Sequence, residues 1–271
     1  MRKHGKHFDL HLRTAVRERG RGDYPAYEHA CLYAFRYMGM HADALTEVLK
    51  QTLSSGQMPD SSDVIIDFGC GPATSVFAFE KALGRFRPVA AYVGVEKSPA
   101  MRGLAEVALR GAGQRGFAIE ETIQQAAMVF CNKTVDRLPR LFLVFSYFFG
   151  QELDVQIIRE ISTTVKAVIH RLRPSEVVTI YANIDIETAS WMPNGDIHHW
   201  YRQFMKEMGW APRIRKLTYK YVVPKELELN AENVSSGEVT YDVQPNLPRF
   251  ADGREGHAAS RHPTPAGLHI S

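Results

Sequence analysis

The chain is poor in cysteine. Its 271 residues include only three, Cys31, Cys70 and Cys131, and no two stand at a metal-binding spacing such as C-x-x-C. An odd number of scattered cysteines excludes a disulfide framework and predicts three reduced thiols. Long apolar runs are missing too. The densest, "LFLVFSYFFG" at Leu141–Gly150, is about half of what a bilayer crossing needs. The first twenty residues are basic and polar and lack the apolar centre of a secretory signal. These absences predict a cytoplasmic protein with no membrane partner. Charge of one sign is in small excess only, with a formal net charge of +3, which permits an anionic partner without demanding one. What the chain does have is 45% hydrophobic residues, enough for one globular domain with a substantial core and some appendages.

No internal repeat is visible. Residues 1–22 carry seven Lys and Arg against two acids and read as a basic arm. Residues 23–60 read as a helical extension, with Pro25 in a first turn, a second helix over Ala42–Leu53, and a linker from Gly56 to Ser62. From residue 61 to 244, short apolar strands alternate with helices. Strands are predicted at Val64–Phe68, Val89–Lys97, Ala127–Asn132, Leu141–Phe149 and Glu176–Asn183. Helices are predicted over Ala73–Leu83, Pro99–Arg110, Val155–Leu172 and His198–Gly209, with a helix or loop over Ile119–Gln125. "RIRKLTYKYVV" and "EVTYDVQ" alternate like exposed antiparallel strands. This pattern predicts an α/β fold, a Rossmann-like, doubly wound, mostly parallel seven-stranded sheet ending in an antiparallel pair. Residues 245–271, rich in Pro, Gly and His without periodicity, read as a disordered tail.

The first strand runs into "DFGCGPAT". Two glycines allow a sharp turn and close approach of a ligand to the backbone, and Pro72 suits a helix start. A dinucleotide fingerprint, G-x-G-x-x-G, would place its last glycine at residue 74, which is Thr74, and a Walker A Gly-Lys-Ser/Thr is missing. What stands here is Asp67-x-Gly69-x-Gly71-x-Ala73. It resembles the D-x-G-x-G-x-G motif of class I S-adenosylmethionine-dependent methyltransferases, with Ala73 in place of the third glycine. That family also places an acid at the end of its second strand, where one carboxylate accepts two ribose hydroxyls. Here Glu96 ends "AAYVGVE" and is followed by "KSPAMRGLAE", which is similar to the family's passage into the next helix. The resemblance spans about residues 60–225. It implies S-adenosylmethionine as cofactor, with Asp67, Gly69, Cys70, Gly71, Glu96 and Lys97 around it. It further implies Asn132, at the end of the third predicted strand, near the adenine and Ser146, at the end of the fourth, near the methionine part. For Asn132, a role as a local cap remains equally open, and for Ser146 so does a hydroxyl satisfied by backbone.

The acceptor is less legible. The Asn/Asp-Pro-Pro-Tyr/Phe motif of methyltransferases acting on exocyclic amines is missing; "FSYFFGQEL" stands in its place. Tyr147, Phe148 and Phe149 offer a stacking face, although most aromatics of a buried strand are core. Glu152, Asp154, Asp185, His198 and His199 are candidate bases, and no criterion selects among them, so no catalytic residue is assigned. His198 and His199 point about 100° apart on a helix and cannot readily share a metal, and no metal site is expected. "YPAYEHACLYAF" and "SYFFGQEL" are also similar to a methyltransferase-like family associated with the small ribosomal subunit. That family carries a cysteine cluster for a metal or iron–sulfur site, which three scattered cysteines cannot build. The basic arm suits phosphate contacts. The resemblances together imply a methyltransferase acting on a small molecule or an RNA. The alternative is a non-catalytic binding protein of the same fold, RNA- or ribosome-associated.

Overall fold

The computed structural model describes residues 30–31, 33–54, 56–85, 87–129, 140–150, 153–184, 193–224 and 232–246. Seven strands form one sheet in the order β3-β2-β1-β4-β5-β7-β6. They are β1 (Val64–Phe68), β2 (Ala91–Val95), β3 (Phe117–Glu120), β4 (Arg140–Ser146), β5 (Glu176–Ile184), β6 (Arg215–Pro224) and β7 (Glu232–Asn246). The first five pair in parallel, and β7 pairs antiparallel with both β5 and β6. This is the Rossmann-like, mostly parallel sheet with a C-terminal antiparallel pair that the alternation of elements predicts.

Among the described residues, six α-helices lie against the sheet: α1 (Gly39–Thr52), α2 (Thr74–Leu83), α3 (Pro99–Gly111), α4 (Ile123–Met128), α5 (Val155–Leu172) and α6 (His199–Met208). A π-helical turn, Ala34–Met38, leads into α1. Successive strand residues point to opposite faces, which sorts the core into two layers. Val64, Ile66 and Phe68 of β1 join Leu141, Leu143 and Phe145 of β4 under α5 and α6. On the other face Ile65, Phe142 and Val144 pack with Leu45, Val48 and Leu49 of α1, Val76 and Phe79 of α2, and Leu109 of α3. Helix α1 lies against both α2 and β6.

Two differences from the expected elements bear on the site. The third strand is Phe117–Glu120, not Ala127–Asn132, and Ile123–Met128 is helical. A capping box explains the helix: Thr122 accepts from the Gln125 N–H, while the Gln125 side chain accepts from the Thr122 N–H. A short apolar run such as "AMVFCN" has no periodicity that separates strand from helix. The strand that fills the position is four half-buried residues at the sheet edge. Asn132 therefore does not end the third strand, and it lies outside the described residues. The fourth strand, expected to reach Phe149, stops at Ser146, because Tyr147 adopts φ +60° and the chain turns into a short 3-10 segment, Phe148–Gly150. Strand β7 runs two residues past Gln244, with the Asn246 side chain bonded to Thr179.

Candidate active site

The chain leaves β1 toward β2 and β3, then returns to β4 on the other side of β1. The order of strands thus reverses between β1 and β4, and in open α/β sheets ligands bind at the strand carboxyl ends beside such a reversal. The glycine turn stands there. Gly69, Gly71 and Ala73 all take positive φ, at +64°, +52° and +62°. Glycine adopts that conformation freely; alanine does so at a cost. A side chain on Gly69 would press on the Phe148 ring at 3.0 Å, whereas one on Gly71 would enter open space. Gly69 is thus held by packing and Gly71 borders a void.

That void is lined by Asp67, Gly69, Cys70, Gly71, Glu96 and Ser146, among others. The structure therefore brings together six of the eight residues that the resemblance implied. Lys97 is exposed and is not among the lining residues; its carbonyl accepts from Arg102, and its backbone helps hold the Glu96 carboxylate. The eighth, Asn132, lies outside the described residues.

Glu96 is anchored by backbone. One carboxylate oxygen accepts from the Gly71 N–H at 3.0 Å and the other from the Ser98 N–H at 2.9 Å. The carboxylate thereby ties the glycine turn to the start of α3, which Ser98 caps. A carboxylate offers about four lone-pair positions, so acceptor capacity remains for a ligand. Burial raises the pKa of Glu96, against the pull of the Ser98 and Gly71 N–H groups and of Arg102.

Asp67 is turned inward. One carboxylate oxygen accepts from Ser75 Oγ at 2.5 Å and from the Tyr92 hydroxyl at 2.6 Å. Burial lifts its pKa to about 6, the two hydroxyls pulling the other way. Cys70 likewise turns in: a side chain on Gly94 would meet its sulfur at 2.7 Å. Burial, with Asp67 and Glu96 nearby, pushes this thiol well up, so its part in the turn is played by backbone. Ser146 Oγ is buried without a hydrogen-bond partner among the described residues.

The rest of the lining includes Pro72, Thr74 and Ser75 after the glycine turn, Tyr147, which the sequence offered as a stacking face, and three residues that sequence reasoning did not assign to the site, Tyr33, His41 and Met101. His41 stacks on Tyr147, ring centroids 3.8 Å apart. The only sequence signal for Tyr147 was its place in an aromatic run at a strand end. Nothing in the sequence marked His41. Among the described residues the lining holds two carboxylates and no lysine or arginine.

None of the described candidate bases lines this cavity. Asp154 caps α5 by accepting from the Ile157 N–H. His198 Nδ1 shares a 2.8 Å hydrogen bond with Tyr181 OH under the other face of the sheet. His199 lies edge-on to Trp200, itself a core residue. Glu152 and Asp185 lie outside the described residues. Of the aromatic run, Phe149 is buried in the core.

No protein-family model and no curated protein matches the chain. Solved structures do. An O-methyltransferase from Bacillus cereus in complex with SAH is 14% identical, covering 87% of this chain and 91% of that one, with a TM-score of 0.41. A SAM-dependent methyltransferase from Aquifex aeolicus is 12% identical, covering 77% and 94%, with a TM-score of 0.39. A precorrin-6y C5,15-methyltransferase from Geobacter metallireducens is 18% identical, covering 74% and 85%, with a TM-score of 0.39. All three are methyltransferases. At these identities and scores the likeness says nothing of what this chain binds; its own residues have to.

Proposed function

We propose that the chain binds S-adenosylmethionine in this cavity and transfers its methyl group to a small-molecule acceptor. Glu96 carries the reading: a carboxylate at the end of β2, held by the Gly71 and Ser98 N–H groups, with acceptor capacity left for the hydroxyls of a ribose. The charge of the lining supports it. Among the described lining residues, the Glu96 carboxylate, with Asp67 behind it, suits a ligand of net positive charge. Gly71 leaves room for a ligand to lie on the backbone, and Ser146 Oγ offers a hydrogen bond that no described residue uses.

The bound cofactor would supply a methyl group on a positively charged sulfur, already activated for in-line displacement. The chain's own task is then to position and to exclude water, which suits a wall of Tyr33, Met101 and Tyr147. The same wall, with its aromatic and apolar side chains, suits a small-molecule acceptor. The basic arm keeps the RNA reading as the second one.

Calorimetric titration with S-adenosylhomocysteine tests the cofactor. Glu96→Gln should bind at least about tenfold more weakly, since hydrogen bonds to a charged acceptor are worth about 1.5–3 kcal/mol. Undiminished affinity in that variant overturns the assignment. Transfer of a tritium-labelled methyl group to the small-molecule fraction of a cell extract, and not to its RNA, is the expected outcome for the acceptor. Binding without transfer to either fraction would instead make the chain a non-catalytic binding protein.

A further inference from the structure

A stack of rings ends at the cavity. Tyr37, in the π-helical turn, and His41, in the first turn of α1, lie with centroids 6.2 Å apart and planes 27° apart. His41 then stacks on Tyr147 at 3.8 Å and 20°. Tyr147 is the last ring of this series and lines the cavity together with His41.

Its backbone is costly. A bulky residue at φ +60° is a conformational outlier, and such outliers persist where the surroundings over-determine them. Here the Tyr147 N–H donates to the Ala182 carbonyl at 2.8 Å, and the ring is clamped by His41. The irregular π-helical turn Ala34–Met38 carries Tyr37 and ends three residues before His41; irregularities of this type cluster at functional sites. The chain thus keeps two unfavourable backbone features where a single ring is set against the cavity.

The position of that ring says what it faces. Glu96 marks the ribose end of the cavity at β2, and Ser146 marks the opposite end at β4. Tyr147 follows Ser146 directly. An aromatic face carries negative charge density and attracts a cation that has been stripped of water. We propose that Tyr147, buttressed by His41, faces the cationic sulfonium centre of the cofactor, between the ribose and the amino-acid chain, and makes the cavity prefer the charged sulfonium over the neutral thioether left after methyl transfer. The inference rests on the cofactor reading above and adds to it a residue that separates substrate cofactor from spent cofactor. Loss of the positive charge on transfer would weaken this one contact, which favours release of the product.

The test is calorimetry on the full chain with two probes, S-adenosylmethionine and S-adenosylhomocysteine. Tyr147→Leu should lower affinity for the first by about tenfold and leave the second within about twofold, from the usual strength of a desolvated cation–aromatic contact. Tyr147→Phe, which keeps the ring, should retain the preference. His41→Leu removes only the buttress and should lose part of it, so it serves if Tyr147→Leu does not fold. Equal losses for the two probes, or no change in their ratio in either variant, overturn the proposal and leave the cofactor reading standing. Failure of the unmodified chain to bind either probe overturns both.

Discussion

Asp67 was legible in the sequence as the acid of a glycine-rich turn, yet its hydrogen bonds run to Ser75 and Tyr92 inside the fold. Those partners depend on the register that sets Asp67 beside Gly94, which spacing along the chain does not encode. The consequence is a pH dependence with a definite sign. The folded pKa of about 6 lies above the ordinary 3.8, so the folded chain holds this proton more tightly than the unfolded one. The stability so contributed is complete below about pH 4 and is lost as the pH rises through about 6. Asp67→Asn stays uncharged and should lose less stability than the parent between those limits, by up to about 3 kcal/mol. Denaturant midpoints measured across that range check it, and parallel profiles would count against it. Ala73 offers a second residue-scale outcome. Ala73→Gly relieves the left-handed conformation but removes a fully buried methyl, so stability should stay within about 1 kcal/mol. Ala73→Val puts a β-branched side chain at φ +62° and should cost about 1–3 kcal/mol.

At the scale of elements, boundaries were legible where chemistry punctuates them. Ser98 with Pro99 starts α3 and Asp154 starts α5, each by a side-chain oxygen on a backbone N–H. Asp154→Ala should cost about 1 kcal/mol in thermal unfolding without altering cofactor affinity. The third strand was not legible, because four half-buried residues at a sheet edge carry too little pattern. The start of β4 hides a clamp. Arg140 is buried, and its guanidinium bonds Asp63 and the carbonyls of Gln57 and Met58, tying the loop before β1 to β4. Arg140→Met strands the Asp63 charge inside and should destabilise the chain by about 3–5 kcal/mol; adding Asp63→Asn should restore part of the loss. Chemical denaturation of the single and double variants reads both.

At the scale of the whole molecule, α1 is part of the core as well as a wall of the cavity. Leu45, Val48 and Leu49 are fully buried between it, α2 and the sheet. Leu45→Ala should therefore lower global stability by about 2–5 kcal/mol and leave one cooperative transition. A second transition, or no loss, would mean that α1 melts separately.

The sequence by itself determined the alternation of strands and helices and the pairing of a glycine turn with Glu96. Both are written in local periodicity and short spacings, which survive in a single chain read end to end. Only the tertiary structure decided that Asp67 and Cys70 face inward and that Lys97 stays outside. Only it brought His41 from α1 against Tyr147 at the end of β4. Contacts between such distant positions follow from strand order and from the packing of α1 on the sheet, and those depend on the whole core closing at once.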